Sequence, residues 1–253
     1  MIKHCFKEAF RLISRSRRES ALLLGAAAFS SGLYILACLA LGISYDFQTT
    51  LDAVRANPLK GALAMVPAGL IMAWFEAGIT GRLAMDAATG EPANFSFYAK
   101  GWFLRYLAGS LILNGGFLAV LLLFYAVPRP AGLGLMAGWS VFCLWLMVRV
   151  CLWAAAMFID GLPPVAAMRR SYSVSNGSAL KLAVVFFLPF VLMSALLKLA
   201  SLLPGAGPLS LTVARDVLEN GVGVITAGAF AAAYLKLRVP AAPAAVEITG
   251  EQK

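Results

Sequence analysis

Residues 138–160 read GWSVFCLWLMVRVCLWAAAMFID, a run long enough to cross a bilayer as one helix, and five further apolar runs of similar length fill most of the chain. Such runs leave few fold classes open. They are continuous rather than alternating, which argues against a β-barrel and for helices. With 61% hydrophobic and 13% charged residues among 253, and a mean hydropathy of +0.82, too little charge remains to dress a water-soluble surface. The expected fold class is therefore all-α: a polytopic membrane protein with six transmembrane helices. The spans fall near 21–44, 61–83, 102–127, 134–158, 180–203 and 213–237.

Ahead of the first span, residues 1–20 form a basic leader. Ile2, Cys5, Phe6, Ala9, Phe10 and Ile13 recur at helical spacing, with Lys3, Lys7, Arg11 and Arg15 on the other side. This predicts an amphipathic interfacial helix lying in the headgroup layer. Its basic region and the apolar run after it are both too long for a cleaved signal, so the leader is read as retained. Residues 21–239 are the bundle. From Pro240 onward the chain is Ala, Pro and charge, which predicts a disordered tail.

The distribution of Lys and Arg sets the orientation. With the N-terminus inside, fifteen basic residues fall on the cytoplasmic side and five (Arg55, Lys60, Arg129, Lys198, Arg215) outside, leaving Arg149 within a span. That bias puts both termini in the cytoplasm, and the expected location is a cytoplasmic (inner) membrane. Trp102, Tyr45, Tyr125 and Tyr234 then lie near the interfaces. The net charge of +9 is read as an attraction to anionic headgroups rather than to nucleic acid.

Charges inside spans are the candidate functional residues. Glu76 and Arg149 fall at nearly the same depth at ~1.5 Å per residue. An unpaired ion there costs at least ~2.5–3.5 kcal/mol, so the two are expected to pair. Such a pair either fixes helix packing or forms part of a proton or substrate relay. Trp145 and Trp153 lie four residues either side of Arg149, so either indole can cover its guanidinium. Glu76 shares a stripe with Gly69, Ala73 and Thr80; Tyr106, Ser110 and Asn114 make a second, with Asn114 near mid-membrane. Lys198 and Glu219 lie in the outer halves of the last two spans, where the two pair or, the favoured reading, Lys198 snorkels outward. Pro67 and Pro189 interrupt the second span of each three-helix half, as in some transporters.

Four cysteines, three of them inside spans and none in a CxxC pair, support neither disulfides nor a zinc site. No cofactor is expected. The one histidine, His4, sits in the leader, and no nucleophile–base spacing or phosphate loop appears, so no catalytic residue is assigned.

Between the fourth and fifth spans, Pro163 and Pro164 suit a helix's first turn, Arg169 and Arg170 can reach water or phosphate, and Asn176-Gly177 supplies a stop. A short interfacial helix is expected. This segment, AMRRSYSVSNGSALKL preceded by IDGLPP, resembles the signature loop of a broad group of bacterial integral membrane proteins. They are related to the membrane domain found beside some glycerophosphodiester phosphodiesterases. Asp160, Pro163, Ala167, Arg169, Arg170, Ser171 and Gly177 match, while Tyr172 and Asn176 replace the commoner Trp and Lys. TGEPANFSFYAKGWF (89–103) and AAAYLKLR resemble that group's inner loop and closing helix, so the resemblance covers most of 60–238. It implies a six-helix bundle with an amphipathic leader, and it does not imply hydrolysis, because the soluble barrel of those phosphodiesterases is not in this sequence. Two functions are consistent with these residues. One is a non-catalytic bundle that organises or regulates a membrane process through anionic lipid or a membrane protein partner. The other is a small transporter or permease subunit using Glu76 and Arg149.

Overall fold

A computed structural model describes residues 1–43, 57–125, 131–200 and 208–238, with side chains described over 1–43, 57, 59–115, 138–199 and 212–238. The tail from Pro240, with Tyr45, Arg55 and Arg129, lies outside the described residues, as does the side chain of Tyr125. The described chain is all-helical: α1 (Ile2–Arg15), α2 (Arg17–Leu41), α3 (Pro58–Thr89), α4 (Phe95–Gly101), α5 (Phe103–Tyr125), α6 (Ala131–Val150), α7 (Trp153–Asp160), α8 (Pro164–Val174), α9 (Ala179–Ala200) and α10 (Pro208–Leu237). Among the described residues five helices are long and apolar enough to cross a membrane, α6 and α7 counting as one.

Packing divides the molecule into two halves. At one end α1, α4, α7, α8 and the C-terminal parts of α3 and α10 bury a continuous core that includes Cys5, Ala84, Tyr98, Trp153, Phe158 and Tyr234. At the other end large apolar side chains such as Leu36, Leu59, Val141 and Leu192 stand more than half exposed. In water that much apolar surface would drive association, whereas against lipid tails it loses nothing.

The leader departs from the expected surface helix. Cys5, Ala9 and Leu12, at i, i+4 and i+7, are fully buried, while Phe10 is 59% exposed. The buried stripe rests on α10, where a Cβ at Gly228 would lie 3.1 Å from Ala9 Cα. The apolar face that looked suited to headgroups is therefore spent on protein, because Gly228 lets the two backbones approach closely. Ser16 breaks the chain between α1 and α2, and Arg82 of α3 holds the corner. Its Nε donates to Ser16 Oγ at 3.0 Å and its guanidinium meets Glu19 at 2.6 Å. Arg15 reaches across to Asp86 (3.3 Å) and to the Gly90 carbonyl (3.0 Å).

The fourth span is not one helix. It stops after Val150 and resumes at Trp153. α8 explains the break: after Pro163 and Pro164 it folds back along α7 and brings two serines to the gap. Ser171 Oγ accepts the Leu152 N–H at 3.1 Å and donates to the Arg149 carbonyl at 3.0 Å, and Ser175 Oγ lies 3.0 Å from the same carbonyl. Side chains inserted into the backbone ladder are a recognised cause of such breaks. α8 then ends at Ser175, and Gly177 (φ 72°) supplies the left-handed turn into α9. Pro67 and Pro189 lie inside α3 and α9, which continue through them.

Docking of the leader is testable through its thiol. Burial against α10 pushes the Cys5 thiol above its ordinary range, which further slows its reaction. In a chain whose other three cysteines are replaced by alanine, Gly228→Leu should force α1 away, since overpacking against backbone costs about 1–3 kcal/mol. Maleimide labelling of Cys5 is then expected to rise about tenfold; an unchanged rate means α1 does not rest on Gly228.

Candidate functional site: a carboxylate between two cavities

The expected Glu76–Arg149 pair does not form. Depth was matched, but direction around the helix axis decides partners, and the two side chains point to different neighbours. Arg149, 8% exposed, lies over the Tyr172 ring at 4.2 Å and farther from Trp145 at 5.9 Å. Its guanidinium donates to Asn176 Oδ1 at 3.4 Å. All three partners belong to the α6–α8 side of the molecule. Trp153, the other indole expected over Arg149, turns away because the helix breaks between them. It stacks on Tyr106 with centroids 5.5 Å apart, and its ring fills the slot left by Gly109.

Glu76 faces α5 instead. Its carboxylate accepts a hydrogen bond from the Tyr106 phenol at 3.3 Å, and among the described residues no cation pairs with it. Glu76 and Tyr106 line two cavities at once. The smaller, about 250 Å³, runs between α2, α3, α7 and α10 and includes Thr80, Glu219, Asn220 and Thr226. The larger, about 620 Å³, opens between α5, α6 and α9 and includes Ser110, Asn114, Trp139 and Met168. Both predicted polar stripes thus reach a cavity wall, and Asn114 lines the larger one. Arg149 lines neither.

A third cavity of about 440 Å³ adjoins the smaller one through Glu219 and Asn220. Here the sequence reading needs correction. Glu219 bonds Arg215 at 2.7 Å on its own helix, a residue that the sequence reading counts only toward the outer charge and does not match to Glu219. α10 begins at Pro208, so Arg215 lies inside it, one turn before Glu219. Asp216 was not singled out at all. It accepts the Ser31 hydroxyl at 2.5 Å, and Asn220 Nδ2 donates to its carbonyl at 2.8 Å. The missed signal was the i, i+4 spacing of Asp216 and Asn220 within an otherwise apolar helix.

The loop residues have different duties. Asp160 closes α7 and receives a hydrogen bond from the Tyr234 hydroxyl, with Arg238 at 3.1 Å and Arg170 at 3.9 Å. Tyr234, expected at an interface, is fully buried by this contact. Ser171 is the staple at the helix break, and Arg169 is exposed. Among the described residues no three His, Cys, Asp or Glu side chains converge as a metal site, and all four cysteines are free thiols. Comparison with known protein families, with curated proteins and with solved structures gives no match for this chain, so its own geometry carries the functional argument.

If Ser171 staples the break, Ser171→Ala strands the buried Leu152 N–H and should lower stability by about 1–3 kcal/mol. Arg169→Gln, two residues away and exposed, should stay within about 0.5 kcal/mol. Thermal melts in detergent compare them; equal effects would contradict the division of labour drawn here.

Proposed function

We propose that this protein is a small multi-pass carrier or permease subunit of the bacterial cytoplasmic membrane, with Glu76 as its substrate-facing charge. The observation that carries the reading is the shared wall: a carboxylate with no counter-ion among the described residues stands between two cavities of the bundle. A buried carboxylate that only fixed packing would be expected to have a partner, and an intramembrane ion facing a cavity is the usual mark of a transport path. Arg149 drops out of the carrier hypothesis as first framed, and acts as a packing residue over Tyr172.

The finer architecture supports the same reading. α5, at 23 residues and about 35 Å, is long enough to be a sixth span beside the five. Met1, Ile2 and Phe6 pack beside Tyr234 and Leu237, so both ends of the described chain share one end of the bundle. With Arg82, Arg169, Arg170 and Lys236 also there, the positive-inside rule assigns that end to the cytoplasm. The loop's resemblance to the bacterial membrane group is consistent with this placement. The exposed Lys3, Lys7 and Arg11 of α1 still favour contact with anionic lipid, a second reading in which the bundle organises a membrane process from its basic end.

Water access at Glu76 separates them. In a cysteine-free background in native membranes, Glu76→Cys should react with a small charged methanethiosulfonate, though more slowly than Arg169→Cys. A Cys at 76 that stays unmodified while position 169 labels fully means a sealed bundle, and the carrier reading fails.

A further inference from the structure

The cavities also carry information about what they would hold. Six residues line both the smaller and the larger one: Glu76, Tyr106, Cys151, Trp153, Phe186 and Phe230. Four of the six are aromatic and one is a carboxylate. Among the described residues the charged side chains lining the three adjoining cavities are Glu76, Asp216, Glu219 and Arg215, and the arginine is bonded to Glu219. Acid is in surplus among these, and Arg149, the cation expected to pair with Glu76, is turned to Asn176 and Tyr172. The bond that Glu76 does receive comes from a neutral phenol. Ser30, 3% exposed, lines the third cavity with its hydroxyl unpartnered, so polar capacity there is also unfilled.

We propose that the two cavities sharing Glu76 bind an organic cation with a hydrophobic body, Glu76 supplying the counter-charge and Trp153, Phe186 and Phe230 the wall. This rests on the carrier reading and names its substrate class. Each alternative occupant fails on one count. An anion would meet the uncompensated carboxylate of Glu76. A bare metal ion needs a cage of oxygen ligands, whereas these walls are mostly ring and methyl groups. A lipid tail would fill the volume but leave the charge of Glu76 unanswered. A cation with an apolar body satisfies both: its charge meets the carboxylate and the ring faces, which attract cations most strongly when desolvated. The larger cavity, about 620 Å³, is in the usual range for a drug-sized molecule.

Two ions of the same shape and opposite charge test this. Radiolabelled tetraphenylphosphonium and tetraphenylborate are bound to the full chain in nanodiscs, with empty nanodiscs correcting for partition into lipid. Saturable binding of the cation alone is expected, weakened about tenfold or more in Glu76→Gln and largely retained in Glu76→Asp. Arg149→Met should bind as the unaltered chain does. Equal binding of the two ions would overturn the proposal and mark the space as one for lipid tails. Undiminished cation binding in Glu76→Gln would overturn it as well. Absence of binding by the unaltered chain, with Cys at position 76 still reactive to the water-soluble reagent, overturns the cation assignment and leaves the carrier reading standing. A sealed position 76 removes both.

Discussion

A helix in a bilayer can break only where its freed backbone groups find new partners, and here Ser171 supplies them at Leu152 and Arg149. Much of the site follows from that staple. Because α6 ends at Val150, Arg149 and Trp153 no longer share a continuous face. The cation turns toward α8, and the indole turns into the slot at Gly109. Trp153 then backs Tyr106, and Tyr106 presents its hydroxyl to Glu76. A carboxylate that could have met an arginine meets a phenol and two cavities.

The basic end is held by charge and close packing together. Arg82 joins α3 to the α1–α2 corner, and Asp160 gathers Tyr234, Arg170 and Arg238 where α7, α8 and α10 meet. The arginines on Asp160 are partly exposed, so each contact adds little by itself. Their value is in direction, since they tie down the segment that delivers Ser171. At the opposite end the described helices show lipid-compatible surface.

The all-helical class and the long apolar helices were legible because lipid demands unbroken runs of about twenty residues, and such runs are visible without any fold; six were expected, and among the described residues five are long and apolar enough. The turns at Pro163–Pro164 and Gly177 were legible for a similarly local reason. Partners were not. Matching Glu76 to Arg149 by depth used the rise per residue but not the rotation of each helix about its axis, and that rotation was reset by the break at Cys151–Leu152. The break itself depends on Ser171, nineteen residues away from Leu152, so no window along the chain contains it. The leader's spacing gave its helix correctly and its environment incorrectly, because an apolar stripe of Cys5, Ala9 and Leu12 suits α10 as well as lipid. Asp216 and Arg215 were passed over because Glu219 was looked at across to Lys198 on the neighbouring span and not one turn back along its own helix.

The central claim is that Glu76 and Arg149 are energetically independent, the first serving the cavities and the second the packing of α8. A double-mutant cycle on thermal stability, with Glu76→Gln, Arg149→Met and both together, measures that directly. The account predicts effects that add within about 0.5 kcal/mol, whereas a coupling well above about 1 kcal/mol would show the two charges paired and contradict it.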